Sequence, residues 1–169
     1  MTAIVTKAIV RGIPKVIEYA RKDLEKRFSL LDPWEIRLVE PVPAEYVSET
    51  LHVEGRTLVA KPYTSTADYP VCDGNTLVPE EVLGLPTVIG SLVHDPMYRE
   101  LPQIARAFGW SVRKTRKWAE TIYGNILLQL ARRQEDRLTR RIGVAWAHLS
   151  YAGVRLFGGI ARWCYRLGM

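Results

Sequence analysis

The strongest constraint in this chain is a change in the period of its hydrophobic residues. From Trp34 to Tyr63 they alternate, as in "WEIRLVEPV", "YVSETLHVEG" and "HVEGRTLVAKPY". A period of two puts one face of a strand in the core and leaves the other wet. The spacing predicts short antiparallel strands with a hairpin at Glu54-Gly55. After Thr87 the spacing becomes helical. "TVIGSLVHDPMYRE" and "IARAFG" lead into "SVRKTRKWAETIYGNILLQLARRQEDRL", read as one long helix with Ser111 as its N-cap, and a last helix covers 142–166. Between the two regimes lies "TSTADYPVCDGNTLVPEEVLGLP", rich in Thr, Asp, Gly and Pro and read as a loop. A strand region followed by a helical region is the pattern of an α+β fold.

Residues 3–30 also read as helical. Ile4, Val5, Ala8 and Ile9, then Val16, Ile17, Ala20 and Leu24, recur at helical spacing, with Pro14 separating a short helix from a longer, charged one. The expected organisation is a helical N-terminal arm over 1–31 and a single α+β domain over 32–169, with a small antiparallel sheet and three or four helices. The arm is charged enough to suggest a partner.

A length of 169 residues with 47% hydrophobic and 25% charged side chains fits a globular chain with a real core. Cys72 and Cys164 make neither a zinc spacing nor a disulfide framework. The start does not read as a signal peptide, because Lys7 and Arg11 break its short apolar runs. The longest charge-free run of the last helix, "IGVAWAHLSYAGV", has 13 residues, short of the roughly 20 needed for a membrane span.

Charge divides the chain. Residues 1–98 hold 10 basic and 14 acidic side chains, a net of −4; residues 99–169 hold 14 and 4, a net of +10. The basic half can face an acidic protein, anionic lipid or nucleic acid. Arg113, Lys114, Arg116 and Lys117 form its densest run, at a helix start where cations oppose the helix dipole. With no aromatic or glycine-rich recognition motif interleaved, nucleic acid is the less favoured of these partners.

"SLVHDPMYRE", residues 91–100, is the candidate site. On a helix, His94 and Tyr98 share a face, and Asp95 can pair with Arg99 one turn on. Asp95 points about 100° away from His94. Pro96 asks for a helix start near Val93 or His94, or for a kink. A neutral His94 can take a proton from water if a second group orients it, and Asp95 can bind a hard cation such as calcium together with Asp73 or Asp68. His52 and His148 read as lone histidines.

His-Asp-x-x-Tyr resembles the catalytic helix of secreted calcium-dependent phospholipases. That likeness implies His94 as the base that activates water and Asp95 as a calcium ligand, although residues 91–100 lack the cysteines of that family. A longer resemblance, over about 34–163, is to the phage and prophage family known as domain of unknown function 1353. "CDGNTLVPE" is similar to its Asp-Gly loop, placing Asp73, Gly74, Thr76 and Pro79. "HDPMYR" matches its His-Asp-x-x-Tyr-Arg helix at His94, Asp95, Tyr98 and Arg99. "WAETIYGNIL" carries Glu120 where the family has aspartate, and "YAGVRLFGGIARW" matches its end; Glu80 stands where the family usually has arginine.

The resemblance implies a phage-encoded protein and the convergence of Asp73, His94, Asp95, Tyr98 and Glu120. Two functions follow as expectations. The first is a virion or assembly component, in the virion or the host cytoplasm, working through protein contacts of residues 1–31 and the basic half. The second is a metal-assisted hydrolase of lipid or envelope esters. There His94, Tyr98 and Glu120 are catalytic, Asp73 and Asp95 bind the metal, and Arg99 and Thr76 support them. An anionic membrane surface would seat its basic last helix.

Overall fold

Alternation over Trp34–Leu38 becomes a strand whose odd and even residues part cleanly: Trp34, Ile36 and Leu38 are buried, Glu35 and Arg37 exposed. The computed structural model describes residues 6–10, 12–20, 26–62, 81–82, 85–86 and 88–167; at 16–20, 26–29, 81–82, 85–86, 88 and 157–167 it describes backbone alone. The strands are β1 (Ala8–Val10), β2 (Val16–Ala20), β3 (Lys26–Leu30), β4 (Trp34–Leu38), β5 (Tyr46–Val47), β6 (Leu51–Glu54), β7 (Thr57–Ala60), β8 (Glu81–Val82) and β9 (Leu85–Pro86). The helices are α1 (Val88–Arg99), α2 (Leu101–Phe108), α3 (Val112–Arg132) and α4 (Arg137–Leu167). The fold is α+β, as expected.

An antiparallel five-stranded sheet has the order β1-β4-β7-β6-β5. The β6–β7 hairpin turns at Gly55, whose φ of 52° suits a residue without a Cβ. Its register sets Val53 opposite Leu58 and Ile36 opposite Leu58, so one face of the sheet is continuously apolar. Helices α1, α2 and α3 cover that face. Ile89, Val93, Met97, Leu101, Ile104, Phe108, Ile122 and Ile126 join the sheet residues in one buried cluster.

The helical N-terminal arm is not found. Of residues 1–31, those described are strands β1, β2 and β3 and their connections. β2 and β3 pair as a hairpin of their own, Val16 against Leu30. β1 joins the main sheet beside β4. A strand at an edge has unpaired backbone groups on its outer side, and here α3 supplies their partners. Asn125 Oδ1 accepts from the Lys7 and Ala8 amides at 2.7 and 3.1 Å, and Gln129 Oε1 accepts from the Val10 amide at 3.0 Å. Gln129 Nε2 donates to the Ala8 carbonyl at 2.6 Å, and Arg133 donates to those of Val10 and Gly12. Residues four apart lie along one side of a helix, so 125, 129 and 133 run parallel to the strand. Apolar spacing alone does not distinguish such a short strand from a helical turn.

Three more expectations shift. α1 begins at Val88, so Pro96 lies in its interior, which rules out the expected start near Val93 or His94 and leaves the alternative of a kink. The proline removes the amide that would have bonded the Leu92 carbonyl. The helix expected over 111–138 ends at Arg132; α4 starts after Asp136, whose Oδ2 accepts from the Thr139 amide at 2.6 Å. The expected loop contains β8 and β9, and its residues 63–80 lie outside the described residues. Ser111 does cap α3, accepting from the Lys114 amide at 3.2 Å.

Two glycines bring the helices close. A Cβ on Gly90 would lie 2.8 Å from the Tyr123 ring, joining α1 to α3, and one on Gly124 would lie 2.7 Å from the Tyr151 ring, joining α3 to α4.

Candidate functional site

Where α1, α3 and α4 meet, the structure assembles a polar cluster. Tyr98, one turn after His94, donates its hydroxyl to Glu120 Oε1 at 2.7 Å. Glu120 sits on α3 and its side chain is 1% exposed. Burying a lone carboxylate is costly, so it needs donors and cations. Arg116, one turn earlier, places Nε 3.2 Å from Oε1, and Arg155 of α4 places Nε 3.9 Å from Oε2. Arg155 also donates to the Tyr151 hydroxyl at 2.9 Å. Burial and the adjacent Glu120 charge push the Tyr98 phenol far above its ordinary value. Tyr98 is therefore a hydrogen-bond donor at neutral pH, not a base.

His94 lies beside this pair. Its ring is 4.1 Å from that of Tyr98 and 4.9 Å from that of Tyr123. Nδ1 is 3.2 Å from Asp95 Oδ1, so the neighbouring residues meet despite their separation around the helix. Nε2 is buried, with no hydrogen-bond partner among the described residues. A general base needs its free nitrogen within reach of water or substrate, and this one is closed off.

Thus His94, Asp95, Tyr98 and Glu120 converge, as the motif implied. Arg99 is half-buried on the same helix. Asp73 and Thr76 lie outside the described residues, so the calcium pairing of Asp73 with Asp95 falls there too. Of the basic run, Arg113, Lys114 and Lys117 are exposed, whereas Arg116 turns inward to Glu120. Sequence reasoning missed Arg155 and Tyr123, which reach the cluster only through helix packing.

It also missed two groupings around β5 and β6. Glu100, buried at the start of α2, accepts from the Tyr46 hydroxyl at 2.9 Å and from that of Thr50 at 2.6 Å, tying the helices to the sheet. On the surface, His52 Nε2 lies 3.0 Å from Glu45 Oε1 and 3.8 Å from Glu54 Oε2. Among the described residues this is the one His/Cys/Asp/Glu group with spacing suited to a metal ion. The common face of 52 and 54 was legible in the strand alternation; Glu45 reaches them by β5–β6 pairing.

α4 is apolar on two opposite faces. Gly143, Ala147, Ser150 and Tyr151 are buried. On the other side, Leu138, Ile142, Leu149 and Leu156 are 66%, 37%, 57% and 74% exposed. With Ala145 and Ala152 they follow steps of 4, 3, 4, 3 and 4 residues, the repeat of a coiled-coil seam. Arg141 and Arg155 occupy positions beside the seam, and no acidic residue occurs in 137–167. Among the described residues no helix is long and apolar enough to cross a membrane.

No family model matches the chain, and neither the curated proteins nor the solved structures contain a match.

Proposed function

We propose that this protein is a non-enzymatic docking component that binds a partner protein through the outer face of α4. The observation that carries this reading is the exposed seam from Leu138 to Leu156, about 27 Å long at ~1.5 Å per residue. Large contiguous apolar faces mark interaction sites. The occupant is an acidic amphipathic helix: its apolar side chains fill the seam and its carboxylates meet the exposed Arg141, while Arg155 is turned to Glu120 and Tyr151. A second copy of the chain fits less well, since residues 137–167 hold no acid to meet the arginines in either orientation. The likeness of "HDPMYR" and its flanking motifs to the phage family supports a partner in a virion or its assembly.

The hydrolase reading has the His94–Asp95 contact in its favour. The burial of Nε2 and the packing of the His94 ring against those of Tyr98 and Tyr123 favour a structural role.

The test uses a synthetic helix with leucine at its seam positions and glutamate beside them, followed by fluorescence anisotropy. Saturable binding is expected. Exchanging Leu149 and Leu156 for aspartate should cost about 3 kcal/mol or more, roughly 100-fold in affinity. Absence of peptide binding, with binding to anionic vesicles or self-association in sedimentation instead, would replace the proposed occupant.

A further inference from the structure

A second surface, independent of the α4 seam, is formed by α2 and the start of α3. α2 spans eight residues, three residues join it to α3, and the first of these, Gly109, has a φ of 62°. The Trp110 amide bonds the Ala105 carbonyl at 2.9 Å, closing α2, and Ser111 opens α3. The left-handed residue turns the chain, so the helices are not collinear: Phe108 at the end of α2 meets Trp118 on the second turn of α3, ring centroids 5.7 Å apart. Trp110 completes an edge-to-face trio, 5.0 Å from Phe108 and 5.7 Å from Trp118. This trio packs the end of α2 against the second turn of α3.

Each helix turns its apolar side to the core. Leu101, Ile104, Ala105 and Phe108 of α2 are buried, as are Thr115, Ala119 and Ile122 of α3. Arg113 and Lys117, one turn apart, lie on the side of α3 away from Thr115, Ala119 and Ile122 and are exposed, N-terminal to Glu120 and Gly124 where α4 covers that side; Lys114 and, on α2, Gln103 and Arg106 are exposed too. Between Glu100 and Glu120 there are five basic residues and no acidic one. Cations concentrated at a helix N-terminus oppose its dipole, and an anionic partner relieves that cost.

Two short-linked helices, a glycine in the turn, and a second helix whose first turns project cations are the parts of a DNA-binding helix-turn-helix. We infer that α2, the Gly109 turn and α3 form such a unit for duplex DNA. α3 lies at the major groove by its N-terminal turns, with Arg113 and Lys117 on the flanking phosphates, while α2 crosses the backbone with Arg106 beside it. The aromatic trio, which sequence spacing did not reveal as a unit, holds the helices in place.

Fluorescence anisotropy of the full chain with a labelled mixed-sequence duplex tests this over a range of salt. Each phosphate contact contributes ~0.9 to the slope of log affinity against log salt, or about 8-fold in affinity at 0.1 M. Replacing Arg113 and Lys117 by alanine should lower the slope by about 1.8 and the affinity about 60-fold. The Arg37→Ala/Arg56→Ala protein loses the same charge from the sheet side and should bind nearly as the wild type. Thermal melts confirm that both variants fold, and binding of the acidic helix peptide should be the same in both. Three results overturn the inference: no duplex binding at low salt, equal losses in the two variants, or tighter binding to single strands than to duplex.

Discussion

Deleting the Tyr98 hydroxyl tests whether the His-Asp-x-x-Tyr helix is held by its buried pair. In Tyr98→Phe, Glu120 loses its 2.7 Å donor while its side chain stays 1% exposed. A hydrogen bond to a charged group contributes about 1.5–3 kcal/mol, and that is the expected loss. Glu120→Ala removes the carboxylate that Arg116 and Arg155 face, and breaking a buried pair on one side costs about 3–5 kcal/mol. Once Glu120 is gone, removing the Tyr98 hydroxyl should cost little more. The double variant should therefore resemble Glu120→Ala, with a coupling energy of about 1.5–3 kcal/mol. Urea unfolding followed by tryptophan fluorescence gives all four stabilities. Purely additive losses would refute the argument, because they would mean that the hydroxyl and the carboxylate do not depend on one another.

Three further outcomes follow from the packing. Gly124→Ala drives a Cβ to 2.7 Å from the Tyr151 ring and should destabilise the α3–α4 contact by about 1–3 kcal/mol; an unchanged melting temperature would show that the helices part easily. Asn125→Ala leaves the buried Ala8 amide without its acceptor, for a loss of about 1–3 kcal/mol, and the Lys7 and Ala8 amides should exchange hydrogen faster while those of β6 and β7 stay protected. Hydrogen bonds from Thr139 hold the Asp136 carboxyl below its usual range. Its contribution to the start of α4 is complete above the ordinary value of about 3.9 and fades as pH falls through the lower folded value. Asp136→Asn should flatten that acid limb in circular dichroism.

Part of the site was legible because it is local. His94 and Tyr98 are one helical turn apart whatever surrounds them, and the motif resemblance placed Glu120 nearby. Arg116 shows the limit of such reasoning: within "RKTRK" it reads as one of four equal surface cations, yet the structure turns it inward. Arg155 lies 35 residues from Glu120 in sequence, and only the α3–α4 approach at Gly124 brings them together.

The N-terminal segment was misread for a related reason. Ala8 and Ile9 fit a helical stripe, but as a strand Ala8 and Val10 face the core and Ile9 is 44% exposed. Three residues carry too little periodicity to choose between them. The choice is made by β4 on one side and by Asn125, Gln129 and Arg133 on the other.

By itself, then, the sequence determined what depends on near neighbours: the alternating strands from Trp34 to Ala60, the Gly55 turn, the Ser111 cap, the helical second half and the separation of charge. Only the tertiary structure decided the placement of β1, the enclosure of His94, the pairing of Glu120 and the direction each helix face looks. Burial and long-range hydrogen bonds belong to pairs of distant segments, and local spacing does not encode which segments meet.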